Sequence, residues 1–154
     1  MITVKKIESF KELDKILPLI EEFHRKGYVY YSLSGFLGLI TANLLMPYFS
    51  IWYAMDDDRI IGYTTAVIEI RFFEKGCTIL DAYMIENNEK VSKIFYEEIE
   101  DWAINNGCDF LFCFTTREGA IERKYDFEFY NCFLIKKLNK TGGLIWGQQQ
   151  VQQP

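Results

Sequence analysis

Two carboxylates stand where a carboxylate is costly to place. Asp81 lies between Leu80 and Ala82 in the strand-like run Cys77 to Ile85, and Glu69 lies in the run Arg59 to Phe73. A carboxyl carried into an apolar sheet loses hydration, its pKa rises, and it comes within range of general-base chemistry near neutral pH. A structural reading competes with this one: Asp81 paired with Arg71 across a hairpin, or exposed on the open face of the sheet. The second chemically suggestive segment is Glu86-Asn87-Asn88-Glu89-Lys90, directly before an apolar repeat that begins at Val91. Free amides and the dipole at a helix N-terminus favour an anion there. Lys90, Ser92 and Lys93 add donors, whereas Glu86 and Glu89 oppose a phosphate by like charge. The segment has no glycine. Asn87 and Asn88 are the residues that best tolerate a left-handed turn in its place.

Other chemistries find no support. His24 is the single histidine, set near the end of a helix, where a surface or boundary role is the ordinary one. Cys77, Cys108, Cys113 and Cys132 form no Cys-x-x-Cys pair, so no metal site is expected. Cys77, Cys113 and Cys132 fall in apolar strand patterns, which suits buried free thiols in a reducing cytoplasm. Asp56-Asp57-Asp58 lacks the spaced ligands of a calcium loop and reads as a solvated turn. Neither a Gly-x-Ser-x-Gly elbow nor a phosphate-cradling Walker loop occurs. The net charge of -5 argues against a nucleic-acid partner. No apolar run is long enough to span a membrane, and Met1 to Lys6 does not resemble a secretory leader.

The elements that must position these residues follow from periodicity. The chain has 154 residues, 49% of them apolar, including 13 Phe and 10 Tyr, enough for one domain with a substantial core. Ile2, Val4 and Ile7 mark a first strand. Ser9 and Glu12 form a capping box, with Glu12 returning to the cap amide. Phe10, Leu13, Ile16, Leu17, Ile20 and Phe23 then share one helical face, Pro18 interrupts the pattern, and Gly27 closes it. Gly35 to Met46 reads as a second helix that is apolar on most sides, closed by Pro47. Ser50 to Met55, Arg59 to Phe73 and Cys77 to Ile85 form a meander of three antiparallel strands. A helix follows from Val91 to Asn106, then a strand from Asp109 to Phe114, apolar enough to be covered on both faces. Arg117 to Lys124 reads as a short helix and Glu128 to Leu138 as the last long strand. The domain is expected over 1–138. Residues 139–154 form a C-terminal extension with Leu144-Ile145-Trp146 and a glutamine-rich tail that cannot pack a core.

The resulting order, β-α-α-β-β-β-α-β-α-β, resembles the GNAT superfamily of acyl-CoA N-acyltransferases over nearly the whole chain. The resemblance implies an α/β fold of the α+β kind. Its centre is a mixed, mostly antiparallel sheet of about six strands flanked by helices and splayed between its fourth and fifth strands. It implies acetyl-CoA as cofactor, with Tyr83, Met84 and Ile85 offering backbone groups to the pantetheine arm. The pyrophosphate would fall to Asn87, Asn88, Lys90, Val91, Ser92 and Lys93, where the family's turn usually carries glycines. Arg123 to Phe127 resembles the family's aromatic-x-x-x-Gly-Phe segment, with Asp126 at the glycine. The family's acid for the departing thiolate then falls at Glu122, with Tyr125 close by; a plain packing role for Tyr125 competes. Asp81 and Glu69 become the candidate bases.

Two functions follow. One is an N-acetyltransferase of an unknown small-molecule or peptide amine, in the cytoplasm. The other is a GNAT-like protein without catalysis, serving as a structural or interaction subunit of a virion or another assembly. The glycine-free turn and the apolar patch with its glutamine tail motivate the second. That tail is a candidate contact for a protein partner, and the aromatic surface permits self-association.

Overall fold

In the computed structural model, residues 1–26, 32–71, 73–85, 88–113, 128–130 and 133–137 are described. The chain runs β1 (Ile2–Lys6), α1 (Phe10–Arg25), α2 (Leu33–Asn43), β2 (Phe49–Asp56), β3 (Arg59–Arg71), β4 (Glu74–Met84), α3 (Glu89–Asn105), β5 (Phe110–Cys113), β6 (Glu128–Tyr130) and β7 (Phe133–Lys137). All seven strands join one sheet in the order β1-β2-β3-β4-β5-β7-β6. Every neighbouring pair is antiparallel except β4 with β5. The run expected as a single last strand is thus two strands that pair with each other, Tyr130 opposite Phe133. Alternation alone does not reveal a reversal inside an apolar run; Asn131, a turn-favouring residue, is the only local cue. The expected helix at 117–124 and the extension at 139–154 lie outside the described residues.

Local chemistry explains the helix ends. The Ser9 hydroxyl accepts the Glu12 amide at 3.4 Å, but the Glu12 carboxylate returns to the Glu8 amide at 2.9 Å, one residue before the cap. That bond, first among its contacts, holds Glu12 below the usual carboxylate range. Pro18 sits on the exposed side of α1, and the helix continues through it. Phe10, expected on the buried face, is exposed at the first turn, and Leu19 is buried instead. Ser32 caps α2 through the Gly35 amide at 3.1 Å, so the helix begins two residues before Gly35. It ends at Asn43, where the Asn43 side chain accepts from the Tyr48 hydroxyl at 2.9 Å, ahead of Pro47.

The sheet is covered on both faces. Leu13, Ile16, Leu19 and Ile20 of α1 and Phe36 and Ile40 of α2 pack on Phe49, Ile51, Tyr53, Tyr63 and Tyr83. On the other face Val91, Phe95, Ile99 and Ala103 of α3 pack on Trp52, Ala54, Ala66, Cys77, Ile79, Leu111 and Cys113. The cysteines there are free, and burial pushes the Cys113 thiol up to about 11. Gly76 is dictated by this packing. A Cβ on it would stand 2.1 Å from Phe112 Cε2, so the ring of β5 lies where the glycine leaves room. His24 is wedged between Phe23 and Phe36, with ring centroids 6.3 and 5.5 Å away, and burial lowers its pKa.

Two stability outcomes follow. Gly76→Ala lowers the urea midpoint by an amount equal to about 1–3 kcal/mol of overpacking, and adding Phe112→Leu recovers part of it. An unchanged midpoint in the single variant would contradict the close fit. Because the folded state favours neutral His24, the fold loses stability as pH falls below the ordinary histidine value of about 6.5. Urea midpoints at pH 7.5 and 5.5 therefore separate further in the wild type than in His24→Gln. The lowered carboxylates, Glu12 and Glu22, act only at lower pH.

Candidate active site

The site is organised by one extra residue. Thr65 pairs with Asp81 and Ala66 with Ile79, so Leu80 bulges from β4. A bulge reverses the side-chain alternation beyond it. Before it, Cys77 and Ile79 point to α3; after it, Asp81 and Tyr83 point to α1 and α2, while Met84 packs on the α3 side. The parallel pairing of β4 with β5 runs from Gly76 opposite Phe110 to Ile79 opposite Cys113. Among the described residues, none pairs with β4 on that side beyond Ile79. The described pairing with β5 thus reaches the residue just before the bulge.

A polar ladder climbs β3 and β4 on the α1/α2 face. Thr78 donates to the Glu69 carboxylate at the lower end. Asp81, buried at 6% exposure, accepts from the Tyr63 hydroxyl at 2.9 Å. Above it the Tyr83 hydroxyl donates to Glu22 at 2.9 Å and accepts from Lys26 at 2.5 Å, and Lys26 stands 2.9 Å from Glu22. The Lys26 ammonium also lies 5.0 Å from the Tyr83 ring centroid. These contacts, with Tyr83 and then Glu22, raise the Lys26 pKa. Lys26 and then Tyr83 lower that of Glu22. The register separates the two candidate bases: Thr65 faces Asp81 whereas Glu69 faces Gly76, four residues along β3, or roughly 13 Å. Asp81 lies beside the bulge and Glu69 does not; the backbone of Arg71 is opposite Glu74, six residues along β3 from the position that faces Asp81.

Tyr83 turns to α1, against Phe23 at 5.0 Å between ring centroids, and Phe112 covers Gly76.

The start of α3 satisfies itself. Asn88 Oδ1 accepts the amides of Lys90 and Val91 at 3.1 and 3.2 Å. Val91 is fully buried in the core, so only its backbone can serve a ligand. The Ser92 hydroxyl donates to the Met84 sulfur at 3.6 Å, joining two residues that the sequence assigns to one cofactor. Lys93 reaches Glu97 at 3.7 Å in an exposed pair, and Lys90 is exposed. Ile85 and Asn88 meet at a pocket of about 130 Å³ that Asp56, Arg59 and Ile61 also line. Asn87, Glu122 and Tyr125 lie outside the described residues, as does Phe114. Sequence reasoning missed Tyr63, Glu22 and Lys26. Glu22 and Lys26 carry a signal, the i,i+4 acid–base spacing at the end of a helix; Tyr63 carries none. Among the described residues, no group of His, Cys, Asp and Glu is placed to hold a metal, and no helix is long and apolar enough to cross a membrane.

Comparison with known proteins places this geometry. No family model and no curated protein matches the chain by sequence. Solved structures do match by shape. An aminoglycoside 6'-N-acetyltransferase from Acinetobacter haemolyticus superposes with a TM-score of 0.67 at 16% identity, over 97% of this chain and 99% of that one. A probable acetyltransferase from Staphylococcus epidermidis gives 0.65 at 16%, over 90% and 100%. A NatC complex bound to Gag peptide and CoA gives 0.65 at 16%, over 90% and 99%. With two helices on one face of the sheet, one on the other, and β5 parallel to β4 in an otherwise antiparallel sheet, the chain has the GNAT fold shared by these acetyltransferases.

Proposed function

We propose that the protein is an acetyl-CoA-dependent N-acetyltransferase. The observation that carries this reading is the coincidence of two features at one point of β4, the Leu80 bulge and the buried Asp81 carboxylate, in a chain whose fold matches solved acetyltransferases. The residues present suit the cofactor. The β4 backbone at Tyr83, Met84 and Ile85 offers hydrogen-bonding groups to an amide-bearing arm. The α3 N-terminus, with Lys90, Ser92 and Lys93, offers charge and donors to a pyrophosphate once Asn88 yields its two amides. Two charge-assisted bonds, each about 1.5–3 kcal/mol, outweigh a cap of about 0.5–2 kcal/mol.

Acetyl-CoA supplies the activated acyl group. Asp81 takes the proton from the acceptor ammonium on the α1/α2 face. Glu69 is bonded to Thr78 a dozen ångströms away and has a structural role. Tyr125 and Glu122 remain the candidates for the acid that protonates the leaving group, as the resemblance implies. Solved neighbours carry in their descriptions an aminoglycoside analogue in one case and a peptide in another. The acceptor here is accordingly an amine of one of those classes. Buried free thiols fit a cytoplasmic setting.

Acetyl-CoA at 100 times its dissociation constant stabilises the fold by about 2.7 kcal/mol, a rise of roughly 5–10 °C in melting temperature. No shift at millimolar acetyl-CoA refutes the proposal and favours the non-catalytic assembly role. Asp81→Asn lowers kcat by about 10²–10⁴-fold toward neamine or a peptide with a free amino terminus, whichever is turned over, while the acetyl-CoA melting shift persists. A variant that retains full activity removes Asp81 from the mechanism.

A further inference from the structure

We propose that Tyr63 is a positioning residue for Asp81, and that with Thr64 it forms a two-sided clamp on the bulge. The inference deepens the acetyltransferase reading and rests on it for its catalytic meaning. Tyr63 and Thr64 are consecutive on β3 and point to opposite faces of the sheet, yet both reach Asp81. On the α1/α2 face the Tyr63 hydroxyl donates to Asp81 Oδ2 at 2.9 Å. From the other side the Thr64 hydroxyl donates to the Asp81 backbone carbonyl at 2.9 Å. Both residues are at most 1% exposed, so water does not compete for these bonds.

The register makes the reach possible. Tyr63 is opposite Tyr83 and Thr65 is opposite Asp81, so the phenol crosses diagonally to a residue on the same face. Its ring is fixed by the edge of Phe23 at 6.5 Å and by Tyr83 at 6.4 Å between centroids. A bulged strand lacks the regular ladder that normally sets side-chain direction. The clamp restores it, holding the backbone from one side and the carboxylate from the other.

The electrostatic consequence has a definite sign. A phenol donating to a carboxylate stabilises the charged form. The other polar groups on this face include Tyr53 on β2, Thr65 and Glu69 on β3, Thr78 and Tyr83 on β4, and Glu22, His24 and Lys26 on α1, with Glu69 bonded to Thr78 four residues along β3 from the position opposite Asp81. The α1 charges, Glu22 and Lys26, pair with each other, and burial lowers the His24 pKa. Removing the Tyr63 hydroxyl therefore raises the pH at which Asp81 ionises.

The test is a ¹³C titration of the Asp81 side-chain carboxyl in the full chain, in wild type, Tyr63→Phe and Thr64→Val. Tyr63→Phe keeps the ring and its packing; its urea midpoint verifies the fold. The titration midpoint moves up by about one pH unit in Tyr63→Phe. It stays within a few tenths of a unit in Thr64→Val, whose hydroxyl touches only the backbone. An unmoved midpoint in Tyr63→Phe overturns the proposal, and so does an equal shift in Thr64→Val, which would assign the effect to the backbone. The acetyl-CoA melting shift separates the two readings. Its absence defeats the acetyltransferase assignment, whereas its presence with an unmoved midpoint defeats only the clamp.

Discussion

Leu80 has no partner position in the ladder between β3 and β4, and most of what is distinctive about the molecule depends on that. A strand has a period of two, so one inserted residue exchanges the faces of everything beyond it. Without the insertion, Asp81 and Tyr83 would point at α3, into the apolar cluster of Ala66, Cys77, Ile79 and Phe95. With it, they meet Tyr63, Glu22 and Lys26. A single backbone irregularity thus places a carboxylate and the partners that hold it.

The glycine-free turn before α3 is a competition between the chain and its ligand. Asn88 binds the two amides that a phosphate would use. A glycine in its place would leave those amides open. The price of binding is the loss of a cap, which is smaller than the gain from charge-assisted bonds to a doubly charged group. In the proposed acetyltransferase this arrangement lowers affinity for the pyrophosphate without abolishing it, and the nearby lysines work in the opposite direction from Glu89.

The α1/α2 face shows how an acidic protein manages charge at a buried surface. Glu22 and Lys26 neutralise each other through the Tyr83 phenol. Glu69 is answered by a threonine hydroxyl and Asp81 by a tyrosine hydroxyl.

The sequence by itself determined the order of elements through β5, because periodicity is a local property. The capping serine at position 9, the amphipathic stripe from Val91, and the apolar run from Asp109 each specify an element without reference to the rest of the chain. It also singled out Asp81 and the start of α3. It did not reveal the reversal between β6 and β7, since both arms are apolar enough to read as one strand. Nor did it reveal the return of Glu12 to Glu8. It left Asp81 and Glu69 equal, because alternation reports burial but not register. Only the tertiary structure separated them, by placing Leu80 out of the ladder so that Asp81, but not Glu69, stands beside the bulge and meets Tyr63. Tyr63 and Lys26 joined the site for the same reason: contacts between residues about 20 and 60 positions apart are set by strand register and helix packing, which no local pattern encodes.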